Sequence, residues 1–273
     1  MNTYSNDWKT WRRLINDYLP HDLRRTVFRL RNRTAWNFLQ AMRAPGGAGL
    51  YHDLSAFLTH QAIFVHVPKA AGNSVSKALF DERTGGHTTL YVYRLAFSRT
   101  EFRRMFKFTF VRNPWDRCHS AYHFLMAGGL NEWDRANAEQ YLARYKTFEH
   151  FVLRGLGTPS IMKLIHFLPI TNFIEVRPGI MPLDFIGYFE QFDADLNRVA
   201  SHIGCDAMKP TWENRTVTKP LEYIESYSSA MREKVAAVYD RDISLLGYSF
   251  DGVRPHPLNL MAPQSRQATG GDH

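Results

Sequence analysis

The sequence predicts an α/β protein, in which a parallel sheet flanked by helices follows a basic helical extension. Three short apolar runs predict the strands: AIFVHV at Ala62–Val67, FKFTFV at Phe106–Val111 and DFIGYF at Asp184–Phe189. Each run has the length of a buried strand, and segments with helical spacing lie between and after them. Strands that alternate with helices are typical of a parallel sheet. We therefore expect one α/β domain over residues 61–250.

The helices are predicted from apolar spacing and from residues that favour helix ends. Ser74 is placed to begin a helix, Asn113 and Pro114 suit the first positions of another, and Gly204 suits the end of a third. The expected helices are Ser74–Phe80, Trp115–Met126, 131–144, 147–155, 159–167, Gln191–Gly204 and Ser228–Asp240.

The two ends of the chain differ from the predicted domain in composition. Residues 1–60 contain nine basic and four acidic side chains, and helical spacing predicts one amphipathic helix over Asp22–Met42. Two roles remain open for this helix: packing on the main domain, or contact with a membrane surface or polyanion. Residues 251–273 are rich in Pro, Gly and polar residues, which predicts a disordered tail.

The composition restricts the partners and the class of protein. The 273 residues include 34 Lys and Arg against 26 Asp and Glu, a net charge of +8 that suits anionic partners. Net charge alone does not predict nucleic-acid binding, and we expect none. Two cysteines exclude a disulfide-rich scaffold. Without a long apolar run or an apolar N-terminal segment, the expectation is a soluble, cytoplasmic protein.

The first chemically informative segment is VHVPKAAGNSVSKALF at Val65–Phe80. It reads as a strand, a tight loop with Lys69, and a helix that begins near Ser74, so the predicted fold is P-loop-like. Backbone N–H groups at such a helix start converge on an anion. The segment is not a Walker A loop, because Lys69 precedes Gly72 and Asn73 stands before Ser74. The alternative is an ordinary turn with a surface lysine.

The second segment is FVRNPWDRCHSAY at Phe110–Tyr122. Arg112 ends a predicted strand and Ser120 follows in the next helix, at the sheet edge where open α/β proteins bind ligands. An arginine and a hydroxyl suit a phosphate group. Pairing of Arg112 with an acid is the alternative. Two anion sites at two strand ends predict a ligand with two separated phosphate-like groups.

Together the two segments resemble the donor-binding motifs of the sulfotransferases, in particular the carbohydrate sulfotransferase branch in its bacterial form. DFIGYFEQFDADLNRV at Asp184–Val199 and RDISLLGYSF at Arg241–Phe250 resemble later motifs of that family. The resemblance covers about residues 62–250. It implies 3′-phosphoadenosine 5′-phosphosulfate as the sulfuryl donor and no required metal.

The resemblance also implies roles for individual residues. Lys69 would contact the phosphosulfate and stabilise the departing phosphate. Arg112 and Ser120 would hold the 3′-phosphate. The loop Trp212–Lys219 resembles one that closes on the nucleotide. The implied donor-binding residues are Pro68, Lys69, Ala70, Ala71, Gly72, Asn73, Ser74, Val75, Arg112, Ser120, Asn214, Arg215 and Thr216.

A general base is expected because the acceptor hydroxyl must lose its proton. His87 lies between the two donor segments, where the resemblance places a histidine. Its alternatives are three carboxylates, Asp81, Glu82 and Glu101.

Other side chains near the second segment suggest different roles. His119 and His123 have zinc-compatible spacing without a third ligand, so no zinc is predicted. Cys118 is expected to be a buried structural thiol, and Arg117 belongs either to the site or to an ordinary helix.

The expected function is sulfuryl transfer to a hydroxyl of a glycan or glycolipid. A P-loop kinase or NTPase and a non-catalytic nucleotide-binding or polyanion-binding relative are the alternatives. Golgi members of the family carry a membrane anchor and lumenal disulfides. Since neither pattern is present here, we expect a cytoplasmic enzyme, peripheral at the inner membrane surface if the basic helix binds lipid. No oligomeric state is predicted.

Overall fold

A three-stranded parallel sheet forms the centre of the fold and confirms the α/β class. The computed structural model describes residues 19–46, 53–81, 84–205 and 222–260. The strands β1 (Ala62–Val65), β2 (Phe106–Val111) and β3 (Phe185–Tyr188) lie in the order β1-β2-β3. Every strand residue is buried, because helices and loops cover both faces of the sheet. The parallel register brings the carboxyl ends of β1 and β2 to one edge.

The helices account for most of the remaining described residues. In chain order they are α1 (His21–Arg31), α2 (Arg33–Ala41), α3 (Ser55–His60), α4 (Gly72–Phe80), α5 (Leu90–Ala96), α6 (Arg99–Arg104), α7 (Pro114–Met126), α8 (Glu132–Asn137), α9 (Phe148–His150), α10 (Thr171–Ile174), α11 (Phe192–Ile203), α12 (Glu222–Glu225), α13 (Ser229–Val238), α14 (Asp240–Leu246) and α15 (Pro257–Leu260). Two π-helical segments, Ala138–Leu142 and Phe151–Gly155, extend α8 and α9.

Aromatic side chains fill the core on both sides of β2. The ring of Phe108 lies 5.2 Å from that of Phe64, and the ring of Phe110 lies 5.4 Å from that of Phe192. Phe110 crosses directly over Gly187, where an added Cβ would fall 2.7 Å from the ring. Glycine in β3 thus lets a large ring pack flat on the neighbouring strand.

Local signals located several helix ends correctly. Asn113 accepts a hydrogen bond from the backbone N–H of Trp115, and Pro114 is the first residue of α7. Gly204 ends α11 in the left-handed conformation, with φ of 69°. Ser228 caps α13 by accepting from the Met231 N–H. These ends depend on residues within a few positions of one another, which is why the sequence alone locates them.

The prediction of one helix over Asp22–Met42 is wrong, and packing of Leu23 and Leu30 on the main domain, one of the two roles left open, is not observed. The chain breaks at Asn32 into α1 and α2, and the expected apolar side of α1 faces solvent. Leu23 is 49% exposed and Leu30 is 74% exposed, whereas Arg24 is only 2% exposed. Arg25 donates to the Leu95 carbonyl at 2.9 Å, so arginines hold α1 on α5. Backbone acceptors on α5 therefore determine which face of α1 is buried.

The predicted helix over 159–167 is also wrong. This segment forms two 3₁₀ turns, Ile161–Lys163 and Ile165–Phe167. The carbonyl oxygens of His166 and Leu168 accept hydrogen bonds from the buried Arg117 guanidinium, at 3.1 and 2.8 Å. These two carbonyls thus accept hydrogen bonds from a side chain of α7, and the segment around them is not α-helical.

The expectation of a disordered tail is wrong for residues 252–260. Tyr248 and Val253 form a β-bridge, and α15 packs against β3. Asn259 is buried and its Nδ2 donates to the Ile186 carbonyl at 3.0 Å and to Asp195 at 2.9 Å. The segment is fixed because it pairs with polar groups of the edge strand, which would be costly to bury unpaired. Residues 261–273 lie outside the described residues, and the division of the chain near residue 60 stays a prediction.

Candidate active site

The two predicted anion-binding segments meet at one edge of the sheet. The loop after β1 and the end of β2 are joined by a hydrogen bond from Arg112 Nη1 to the carbonyl oxygen of Lys69, at 3.2 Å. The later motifs reach the same place, since the backbone N–H of Asn113 donates to Glu190 Oε1 at 2.7 Å and its Nδ2 donates to the Ser249 carbonyl at 2.9 Å. All four motifs of the resemblance therefore contact one another around the end of β2.

The loop after β1 has the geometry of an anion cradle. Lys69 and Ala71 both adopt the left-handed conformation, with φ of 67° and 60°. They turn the chain so that α4 begins at Gly72, and within the described part of the chain no side-chain hydrogen bond caps the start of this helix. Uncapped N–H groups at a helix start, supported by the helix dipole, favour an anion. Ser74 lies within this first turn and is buried.

Glycine is required at position 72 because a neighbouring side chain leaves no room for a Cβ. Its backbone conformation is not the reason, since Gly72 does not have a positive φ. A Cβ at this position would lie 1.8 Å from the ring of His66, the residue that follows β1. The His66 ring thus lies flat against the start of α4. The same ring stacks on Phe64 at 5.6 Å, and burial holds the pKa of His66 well below its usual value.

Replacing Gly72 with alanine is expected to lower the free energy of unfolding by about 2 kcal/mol or more, because the His66 ring has no room to yield. Urea denaturation measures this loss. Gly252→Ala is the matched control, since its nearest neighbour would be Ser249 Oγ at 3.4 Å. Equal stability of the two variants would show that the loop can open around His66.

Lys69 extends from the loop over the face of an aromatic ring. Its Nζ lies 3.8 Å from the ring centre of Phe124 on α7. Burial, followed by the charge of Arg112, lowers the pKa of Lys69 to about 8, and the carboxylate of Asp134 opposes that shift. A lysine with this pKa is still mostly charged near neutral pH, and it is incompletely hydrated. Such a cation interacts strongly with an incoming anion.

Arg112 is held in place by an acid four residues later. Its Nε and Nη2 each donate to Asp116 at 2.7 Å, and its guanidinium lies 4.2 Å from the ring centre of Phe189. This is the pairing that the sequence left open as the alternative to phosphate binding. Ser120 lies four residues beyond Asp116 on α7, so these two side chains share one helix face. The bonds to Asp116 fix the orientation of the guanidinium at the strand end.

His87 lies beside the first loop, as its candidate role requires. Its Nδ1 is 3.2 Å from the His66 carbonyl oxygen, and its ring is 4.3 Å from the His66 ring. When Nδ1 carries the proton and donates to that carbonyl, Nε2 is left as the acceptor. This tautomer is the one that a general base needs.

The alternative carboxylates are less well placed. Asp81 is exposed and follows the last residue of α4, at the opposite end of that helix from the cradle. Glu101 belongs to the capping box of α6 and pairs with Arg43 at 2.5 Å. Glu82 lies outside the described residues, as do Asn214, Arg215 and Thr216.

Four other side chains of α7 lie near Arg112 and Ser120 in the sequence. Arg117 is 1% exposed and joins α7 to the segment around residue 167. Cys118 is buried, and burial raises the pKa of its thiol to about 12, so it is an inert structural thiol. The rings of His119 and His123 lie 4.3 Å apart. Among the described residues, no group of three or more His, Cys, Asp or Glu could hold a metal ion.

Comparison with known proteins identifies the family to which these motifs belong. Residues 54–249, well over half of the chain, match the profile of the Sulfotransferase family. The chain belongs to this family. The matched region contains the whole sheet and every described residue of the candidate site.

Three carbohydrate sulfotransferases are similar to this chain. Carbohydrate sulfotransferase 14 of Danio rerio is 26% identical over 170 residues, which are 55% of this chain and 46% of the relative. The proteins of the same name from Homo sapiens and Mus musculus are each 25% identical over 174 residues. The matched segment spans slightly less than half the length of each relative. No solved structure matches the chain.

Several residues of the site are absent from the sequence predictions. Asp116 could have been found from its four-residue spacing after Arg112 on a predicted helix. His66 lies within the first segment, Val65–Phe80, where the sequence predictions give it no role. Asp134 and His166 carry no local signal, since only the folded chain brings them close to Lys69. Phe124 similarly gains its role only from the position of the lysine.

Proposed function

We propose that this sulfotransferase family member moves a sulfuryl group from 3′-phosphoadenosine 5′-phosphosulfate to a hydroxyl of a glycan or glycolipid. The observation that supports this most strongly is the bond between Arg112 and the Lys69 carbonyl, since it joins two cation-bearing strand ends. One end suits the 5′-phosphosulfate and the other the 3′-phosphate. The similarity to carbohydrate sulfotransferases supports a carbohydrate acceptor.

The proposed mechanism assigns one role to each side chain. The N–H groups at the start of α4 and the Lys69 ammonium hold the phosphosulfate and stabilise charge on the departing phosphate. Arg112 and Ser120 fix the 3′-phosphate, which orients the donor. His87 Nε2 accepts the proton of the acceptor hydroxyl. The acceptor oxygen then bonds to sulfur as the sulfur–phosphate oxygen bond breaks, in line, and 3′,5′-adenosine bisphosphate leaves without a metal ion.

Transfer of ³⁵S from labelled donor to a panel of glycans and glycolipids tests this function. We expect labelled product with at least one hydroxyl-bearing acceptor, formed about 10³-fold more slowly when Lys69 is replaced by alanine. Two results would contradict it. One is release of ³⁵S to water without any labelled acceptor, and the other is binding of the donor without transfer of ³⁵S to any acceptor.

We further propose that α1 contacts an anionic membrane surface. Leu23 and Leu30 are separated by two helical turns and lie exposed on one face. Arg29, Arg31 and Arg33 are exposed beside them. Leucines flanked by arginines suit the boundary between headgroups and acyl chains of an anionic bilayer. No helix in the described part of the chain has the length and hydropathy to cross a bilayer.

Replacing Leu23 and Leu30 together by serine is expected to weaken vesicle binding by about tenfold or more, because both lose the apolar contact with lipid. Sedimentation with phosphatidylcholine vesicles, with and without phosphatidylglycerol, measures the effect. Leu153→Ser is the control, since Leu153 is 37% exposed on another element. If the wild type bound both kinds of vesicle equally, or if Leu153→Ser lost as much vesicle binding as the double variant, α1 would not be the membrane-binding surface.

A further inference from the structure

A buried carboxylate that the proposed mechanism does not use lies beside Lys69. Asp134 of α8 is 4% exposed, and its Oδ2 accepts from the backbone N–H of Leu130 at 2.9 Å. The turn before α8 fits closely around it, since a Cβ on Gly129 would lie 2.1 Å from Asp134 Cβ. The position of this carboxylate is therefore fixed by the backbone.

A continuous set of contacts links Asp134 to the lysine. Its Oδ1 lies 3.8 Å from His166 Nε2, and the ring of His166 lies 5.4 Å from that of Phe124. Phe124 also contacts Lys69, whose Nζ lies 3.8 Å from the ring centre. We call Phe124, Asp134 and His166 the lysine seat. Three elements of the fold supply it: α7, α8 and the 3₁₀ turn Ile165–Phe167.

The charges around the seat act on Lys69 in opposite directions. Burial and Arg112 lower the pKa of Lys69, and Asp134 raises it. His166 does not neutralise Asp134, because burial, His87, Lys69 and Arg117 all keep the pKa of His166 low. Arg112 is already paired with Asp116. Lys69 is thus a cation that the carboxylate of Asp134 favours, while burial raises the pKa of Asp134 and Lys69 in turn lowers it.

We propose that Asp134 is a positioning residue that keeps Lys69 charged and drawn back onto Phe124 while the donor loop is empty. The anionic donor then competes with Asp134 for the ammonium group and draws it toward the departing phosphate. This inference rests on the proposed role of Lys69 in donor binding, and it adds a residue that touches neither donor nor acceptor.

Asp134→Asn tests the proposal, because asparagine retains an oxygen for the Leu130 N–H and loses only the charge. The pKa of Lys69 is measured directly by ¹³C NMR of labelled lysine side chains, without nucleotide, with Lys69→Arg used to assign the signal. We expect the titration of Lys69 to shift about one pH unit lower in Asp134→Asn. Glu132→Gln removes a charge from the same helix at an exposed position and should leave the titration unchanged.

A second readout connects the charge of Lys69 to donor binding. The affinity for 3′,5′-adenosine bisphosphate is measured by calorimetry between acidic and alkaline pH. At acidic pH Lys69 is charged in both proteins, so Asp134→Asn should bind as tightly as the wild type or more tightly. As pH rises, the variant should lose affinity earlier, because its lysine deprotonates first. A residue with only a structural role would weaken binding equally at every pH.

The outcomes separate the two proposals. Identical Lys69 titrations in the wild type and Asp134→Asn would overturn the lysine seat, whatever the nucleotide result. A lowered titration without any bisphosphate binding by the wild type would support the seat and contradict the proposed function. If Asp134→Asn does not fold, Phe124→Leu replaces it. That variant removes the ring beneath Nζ and should lower the pKa of Lys69 by a smaller amount, and an unchanged pKa would overturn the proposal.

Discussion

Lys69→Ala is expected to lower kcat for sulfuryl transfer by about 10³-fold, while binding of 3′,5′-adenosine bisphosphate weakens by less than about tenfold. The reason is that charge on the bridging phosphate oxygen grows as the sulfur–oxygen bond breaks. Lys69 therefore contributes more to the transition state than to the bound donor. Its partial burial strengthens the effect, because the ammonium loses little further hydration when it meets that charge.

Single-turnover rates and calorimetry measure these two losses separately for Lys69→Ala. Lys163→Ala is the matched control, because Lys163 is an exposed lysine on a 3₁₀ turn. The control should match the wild type in both measurements. A loss in bisphosphate affinity as large as the loss in rate would mean that Lys69 only binds the donor, with no additional role in the transition state.

His87→Gln is expected to lower turnover by about 10²- to 10⁴-fold with donor binding retained. Glutamine keeps a polar side chain near the His66 carbonyl but does not accept a proton at neutral pH. The acceptor hydroxyl must then lose its proton to water, which slows transfer without disturbing the phosphate contacts. The 3.2 Å contact with the His66 carbonyl favours the tautomer that this role needs.

Initial rates over a range of acceptor concentrations, with calorimetric binding of the bisphosphate, measure the effect of His87→Gln. His150→Ala is the control, since His150 is exposed and packs on Tyr145. Near-normal turnover in His87→Gln would assign the base to another group. Glu82, which lies outside the described residues, would then be tested next.

The fold was predictable where short stretches of sequence determine it. The three apolar runs form the three strands, and Asn113, Pro114 and Gly204 lie at the predicted helix ends. The order of the two anion-binding segments likewise brought Lys69 and Arg112 to one sheet edge. Parallel strands must present their carboxyl ends together, so no distant information was needed.

The errors occur where distant parts of the chain decide the outcome. Apolar spacing left open whether the apolar side of α1 packs on the domain, and with Arg25 bonded to α5 Leu30 faces solvent. Asn259 fixes a segment whose composition predicted disorder, because it satisfies a carbonyl of β3. Asp134 and His166 reach Lys69 only through tertiary packing. The positions of Lys69 and His87 near the loop after β1 could be expected from motifs, but the groups around Lys69 could not.

In the proposed function, the anion site at Lys69 and the anion site at Arg112 hold the two phosphate groups of one nucleotide. A kinase would instead bind ATP with magnesium, but the loop after β1 lacks the Gly-Lys-Ser/Thr sequence that places magnesium. A non-catalytic relative would bind nucleotide without transfer, which the labelled-donor experiment detects. Nucleotide preference is thus the property that separates the sulfotransferase account from a kinase.

Thermal melting of the purified protein, alone and with each nucleotide, tests this claim most directly. The nucleotides are 3′,5′-adenosine bisphosphate, AMP, and ATP with magnesium. The account predicts clear stabilisation by the bisphosphate, by about 2.7 kcal/mol at 100 times its Kd, and much less by AMP. Arg112→Ala should remove the advantage of the bisphosphate over AMP. Stabilisation by ATP with magnesium alone, or by no nucleotide, would contradict the account.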